Sequence, residues 1–149
     1  MVVEMTREEF NEKLPKFVYE FKKHLGNEIL KDADLTLKTV RSIEGKSRMT
    51  SSSGNLANSL ELIPEGKDFV VSASAPYAAA VEYGSSPHWV PIAPLKEWAR
   101  KKIGKEEVAY AIQKKIAKKG TPAQPFLEPA ARNINVYLRA FEKAKKVFA

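Results

Sequence analysis

Two histidines, His24 and His88, are the soft metal ligands of this 149-residue chain, which has no cysteine. Disulfides and thiolate chemistry are therefore excluded, and a zinc site is not expected. His24 lies beside an apolar stripe and His88 in a loop next to Trp89, neither at a motif spacing from a nucleophile or carboxylate that would suggest a triad. Asp32 and Asp34 stand two apart and point to different faces of a helix, so paired-carboxylate and two-metal chemistry have no signature. Gly45, Gly54, Gly66, Gly84 and Gly104 make no phosphate-cradling loop. The expectation is a protein that is not an enzyme and carries no cofactor and no metal.

Charge is the remaining chemistry. Residues 1 to 74 hold 11 basic and 12 acidic side chains, a sum of -1, while residues 75 to 149 hold 14 and 6, a sum of +8. Within the second half, residues 96 to 119 carry nine Lys or Arg against three Glu. Candidate contacts to phosphate or to an acidic partner are Lys101, Lys102, Lys105, Lys114, Lys115, Lys118 and Lys119. The alternative is that these lysines only solvate the outer face of a helical hairpin. The chain is also rich in Lys (19) and Glu (15) and poor in Gln (Gln113 and Gln124), a bias seen in proteins of thermophiles.

The elements that must position these groups follow from periodicity. Thr6 and Glu9 have capping-box spacing, and Phe10, Leu14, Phe17, Phe21, Leu25 and Ile29 recur at helical steps, which predicts a long N-terminal helix with this stripe as its core face. Pro15 and Gly26 predict a kink, a bend or two collinear pieces. Residues 45 to 55, GKSRMTSSSGN, read as an exposed loop. Two extended runs, 59 to 63 and 69 to 74, read as a hairpin with a longer loop at Pro64 to Asp68, and HWVPI at 88 to 92 as a third, edge strand.

A helical hairpin follows, with Leu95, Trp98, Ala99 and Ile103 on one inner stripe and Val108, Ala109, Ile112 and Ile116 on the other. One last helix is predicted to carry Ala130, Ile134, Leu138, Phe141 and Phe148. The fold class is α+β: a small antiparallel twisted sheet flanked by a long N-terminal helix, a short Ala-rich helix, a basic helical hairpin and a C-terminal helix. A single domain is expected, with the basic hairpin a helical insertion at about 87 to 121. No run approaches the roughly 18 apolar residues of a spanning helix, so no membrane partner is expected. The opening MVVEMTREEF does not read as a secretory signal.

Two stretches remain, PYAAAVEYGSS at 76 to 86 and PAQPFLEPA at 122 to 130. Alanines admit close backbone approach, Gly84 offers positive φ at a helix stop, and the prolines brace an extended approach to Phe126. Either a core helix with a rigid loop or a subunit interface would use such devices. Preceded by NLANSLEL and a strand pair, the order of these pieces resembles the head-tail joining and tail-completion (neck, minor tail component) proteins of long-tailed bacteriophages and prophages. The match falls on Gly54, Leu56 and Ser59, on Tyr77, Ala78, Val81, Glu82, Tyr83 and Gly84, and on Pro125, Phe126, Leu127, Pro129 and Ala130. The departure is the basic hairpin between the second and third pieces.

The resemblance implies a structural virion assembly protein that forms a ring, a hexamer in the assembled particle, where the capsid portal meets the tail. Its implied partners are itself, portal or connector proteins and tail proteins, with DNA passing through the channel a further candidate. The implied location is the host cytoplasm during assembly and then the virion neck or tail. The interface candidates are Tyr77, Glu82, Tyr83, Gly84, Pro125 and Phe126, with Phe126 as apolar anchor. Phe126 filling the subunit's own core is the competing reading. A small basic nucleic-acid-binding protein is the alternative function.

Overall fold

A computed structural model describes residues 4–38, 42–43, 46–47 and 55–149. The resemblance match at Gly54, and the loop reading at 45 and 48 to 54, fall outside the described residues. Helix α1, Arg7–Lys38, opens as its capping box predicts: the Thr6 amide donates to Glu9 Oε2 at 2.8 Å and the Glu9 amide to Thr6 Oγ1 at 3.2 Å. Those bonds from Thr6 hold the Glu9 carboxyl below its ordinary range.

Helix α1 runs through both expected interruptions as one element of 32 residues. Pro15 cannot donate to the Asn11 carbonyl, but both residues are exposed, so water can meet the freed acceptor. Gly26 is buried for a different reason from a bend. A Cβ there would meet the end of the Leu62 side chain of the sheet, which would have to shift to make room.

Strands β1, Ser42–Ile43, and β2, Lys46–Ser47, pair antiparallel, so the reading of 45 to 55 as loop throughout is corrected at 46–47 and again at helix α2, Asn55–Asn58. Strands β3, Leu60–Glu65, and β4, Asp68–Ala73, form the expected hairpin, with Leu60 opposite Ala73 and Glu65 opposite Asp68. Its turn is only Gly66-Lys67, tighter than expected, because Pro64 stays in the strand opposite Phe69. A two-stranded sheet consists of edges, where proline is tolerated.

The short Ala-rich helix α3, Ala78–Tyr83, leads to the hairpin of α4, Ile92–Lys102, and α5, Val108–Lys119. No strand forms at 88 to 91; Pro91 instead caps α4 and Ile92 already belongs to that helix. The expected last helix is divided at Asn133, whose backbone is extended and whose side chain accepts from the Asn135 amide. Helix α6 covers Leu127–Arg132, α7 covers Ile134–Ala144, and a 3-10 turn closes the chain at Lys145–Phe148. The architecture is α+β, with α1 as the hub against which the β3–β4 sheet, α2, α6, α7 and the final turn pack.

Small residues make the core. Ala33, Leu56, Ala78, Phe126 and Ala130 form its central cluster, and Phe126 and Val136 are the largest side chains removed entirely from solvent. Along α7 the buried face is Val136, Ala140 and Ala144, which lets two backbones come close. Of the residues read from periodicity as the last helix's apolar stripe, Ala130 is fully buried and Phe148 half-buried, but Ile134 is 66% and Leu138 55% exposed, and Phe141 is about half exposed against Phe17. In α1 likewise, Phe10 and Leu14 are exposed and Phe17, Phe21 and Leu25 only half-buried, while the buried positions are Gly26, Glu28, Ala33 and Thr36.

Candidate functional site

The three motif pieces meet at one junction. Glu82, buried near the end of α3, turns its carboxylate onto the first amides of α6: Phe126 and Leu127 donate to Oε2 at 2.8 and 3.0 Å, and Glu128 donates to Oε1 at 2.8 Å. A helix leaves its first amides without intrahelical acceptors, and a carboxylate both fills that need and suits the positive end of the helix. Leu56 from the first piece, Ala78 from the second and Phe126 with Ala130 from the third share one core cluster under this cap.

A second lock follows directly. Ser85 and Thr121 exchange backbone hydrogen bonds at 3.0 and 3.1 Å, their hydroxyls meet at 2.7 Å, and the Gln124 amide donates to the Val81 carbonyl at 2.7 Å. Gly84 and Gly120 flank this bridge with φ of 78° and 70°. A Cβ on Gly84 would stand 2.8 Å from the Thr121 carbonyl oxygen, and one on Gly120 would overlap the Ser85 carbonyl. Both positions need glycine twice over, for the backbone angle and for the space.

The α4–α5 hairpin hangs from this bridge. Gln113, buried, donates to the Val90 carbonyl at 2.7 Å and fastens α5 to the segment before α4. Between the hairpin and the body lies an apolar groove of about 820 Å³, walled by Leu56, Val81, Leu95, Trp98, Ile112 and Ile116 among others. Lys38, Lys102 and Lys115 are among its lining residues, Lys38 being paired to Asp34 at 2.9 Å.

Glu28 anchors α7 to α1. Its buried carboxylate accepts from Arg139 Nε at 2.9 Å and from Lys143 Nζ, with Lys31 at 3.5 Å. Burial pushes this carboxyl up, but the hydrogen bonds from Lys143 and Arg139 outweigh that and hold it at about 2. The same contact raises the Lys143 ammonium above its ordinary value.

The interface candidates separate accordingly. Tyr83 is 76% exposed and Tyr77 is exposed, so both are available to a neighbour. Gly84 and Pro125 are half-buried at the junction. Glu82 and Phe126 are corrected: the Glu82 carboxylate is spent on α6, and Phe126 is fully buried in its own subunit, so neither is an exposed anchor. Lys101, Lys102, Lys105, Lys114, Lys115, Lys118 and Lys119 are all exposed, with Lys101 paired to Glu97 at 2.8 Å. Sequence reasoning missed Gly120, Gln113 and the groove. The first could have been suspected from its place after an amphipathic run, whereas the groove depends on how far apart two elements come to rest.

No group of three or more His, Asp or Glu among the described residues could hold a metal ion, and no described helix is long and apolar enough to cross a membrane. No protein-family model, no curated protein and no solved structure matches the chain.

Proposed function

We propose that this chain is a structural virion assembly protein, a ring-forming neck or tail-completion subunit that joins head to tail in a long-tailed phage, a prophage or an archaeal virus. One observation carries the reading. The three sequence pieces that resemble the tail-completion family, far apart in the chain, converge on the Glu82 to α6 junction as one packed unit.

Self-association draws support from the distribution of large side chains. Tyr83, Trp89 and Ile134 are each more than 60% exposed and are available to a neighbouring subunit. A repeated contact around a channel uses two different patches on each subunit and closes into a ring when the rotation permits. The subunit acts in the host cytoplasm during assembly and resides afterwards in the virion neck or tail, with portal and tail proteins on its two sides.

Electron microscopy of the purified protein, alone and mixed with a portal or tail partner, tests this. Closed rings, hexameric in the complex, are expected. Particles assembled with the protein as an isolated monomer would overturn the reading.

A further inference from the structure

We propose that the exposed apolar stripe of α7, with the neighbouring turns of α1, pairs with the same face of a second copy of this chain about a two-fold axis. A two-fold contact uses one patch twice, whereas a ring uses two different patches, so this contact goes beyond the ring reading and is independent of it. Ile134, Leu138 and Phe141 recur at steps of four and three, the seam spacing of a helix that packs on another helix, and all three are exposed. The side of α7 turned to the core is made of Val136, Ala140 and Ala144, while Arg139 and Lys143 reach Glu28. The stripe is therefore a second apolar face of α7, separate from the one its own subunit uses.

The patch extends onto α1. Phe141 meets Phe17 edge-on at 5.9 Å, and Leu14 and Val18, both exposed, lie within one turn of Phe17. Helical phase puts Leu14 and Val18 on the opposite flank of α1 from His24 and Lys31, so the Glu28 bridge takes one side of the helix pair and the apolar patch the other. At roughly 200 Å² for a side chain of this size, the exposed fractions of Leu14, Val18, Ile134, Tyr137, Leu138 and Phe141 leave on the order of 600 Å². A standard interface buries about 800 Å² per partner, and in homodimers about two thirds of that is apolar, or roughly 500 Å². The patch is thus large enough to supply the apolar part of a stable dimer, and it stands at the upper end of what a monomer leaves uncovered.

The stripe bears no charge, so its occupant is apolar where the two meet, and a second copy brings an identical stripe. Charge sets the orientation. Arg139, Lys143, Lys145 and Lys146 outnumber Glu28 and Glu142, which pair with three of them, so the end of α7 keeps a positive sum. Parallel pairing would bring two such ends together. Antiparallel pairing separates them, with Leu138, the middle of the stripe, near the axis and Ile134 against Phe141 of the second copy.

The chain contains no cysteine, so single introduced ones report the register. Leu138→Cys, oxidised under native conditions, should form a disulfide-linked dimer. Ile134→Cys and Phe141→Cys, mixed from two differently tagged preparations, should cross-link to each other in preference to themselves. In sedimentation equilibrium the wild type should be dimeric, and Leu138→Glu should raise the dissociation constant by about tenfold or more. Trp89→Glu, at a side chain more exposed still but on the segment before α4, should leave it unchanged. Circular dichroism of each variant separates loss of the contact from loss of the fold. A wild type that is monomeric at all accessible concentrations overturns the pairing, as does an oligomer indifferent to Leu138→Glu or a preference for like-to-like cross-links at Ile134→Cys and Phe141→Cys. A monomer whose binding to a portal or tail protein is lost with Leu138→Glu gives the stripe to that protein and also overturns the pairing. Rings that ignore Leu138→Glu leave the ring reading standing, whereas a two-fold dimer that never closes into rings, alone or with a portal partner, supports the pairing and overturns the ring. A subunit that stays monomeric both alone and with those partners overturns both.

Discussion

The carboxylate of Glu82 closes the N-terminus of the helix that Phe126 opens, 44 residues further along the chain. An ordinary helix cap is local, supplied by a residue that adjoins the first turn. Here the cap is tertiary, so α6 and the loop before it depend on α3 being in place. Removing the acid by Glu82→Ala strands the buried Phe126 amide and the half-buried Leu127 amide and frees that of exposed Glu128, at a cost of about 3 kcal/mol. Glu82→Gln should cost less, because one oxygen still accepts while the amide nitrogen confronts a donor. Urea unfolding of both variants checks the order, and an unchanged midpoint for the alanine variant would refute it.

Phe126→Ala should lower stability by about 3–5 kcal/mol, the range for emptying a fully buried aromatic site. Any assembly defect should then track the loss of folded subunit. A variant that melts like the wild type yet fails to assemble would return Phe126 to the role of interface anchor.

The two glycines of the Ser85–Thr121 bridge should rank by space as well as by backbone angle. Gly66 shares their positive φ but has nothing within 4 Å of a built Cβ, so Gly66→Ala measures the angle alone, about 1 kcal/mol. Gly84→Ala and Gly120→Ala add a collision with backbone and should each lose about 2 kcal/mol or more. Equal melting points for all three variants would dismiss the packing argument.

Much of this fold was legible because its signals are local. The Thr6 to Glu9 box marked the start of α1, and the alternation around Gly66 marked the sheet. What misled was the assumption that the largest apolar residues face inward. Along α7 two apolar faces coexist, one of Val136, Ala140 and Ala144 and one of Ile134, Leu138 and Phe141, and periodicity cannot say which is buried. Close helix approach selects the small face. The Glu82 junction was visible only as two odd stretches, since nothing local to either names the other as its partner.

Glu28 predicts a pH dependence. Its folded carboxyl sits at about 2 against an ordinary value of 4.5, so the folded state binds this proton more weakly than the unfolded state. The stabilisation is complete above about 4.5 and is lost as pH falls from there toward about 2. Because Arg139 and Lys143 are partly exposed, about 2 kcal/mol is expected rather than the full conversion of the shift. Other carboxylates also titrate there, so the measurement is the difference between wild type and Glu28→Gln in denaturant midpoints from pH 6 to pH 2. The two curves should converge on acidification, and a constant gap would remove Glu28 as the source.

The lysines of the α4–α5 hairpin should divide by position. Lys102 and Lys115 lie at the groove, while Lys114, Lys118 and Lys119 are exposed and absent from its lining. Replacing those last three by Gln should leave stability within about 0.5 kcal/mol, as is usual for exposed sites, and should leave ring formation unchanged. If the hairpin only solvates the surface, neither wild type nor variant will hold duplex DNA at physiological salt. Contact with DNA in the channel would behave differently: each phosphate neutralised adds about 0.9 to the slope of log affinity against log salt, so losing three contacts should flatten it by about 2.7. Binding of duplex DNA by the wild type that weakens steeply with salt, and a flattened slope in the variant, would make the hairpin a nucleic-acid contact. Titrations across a salt series, with intact rings as the binding species, decide between the two.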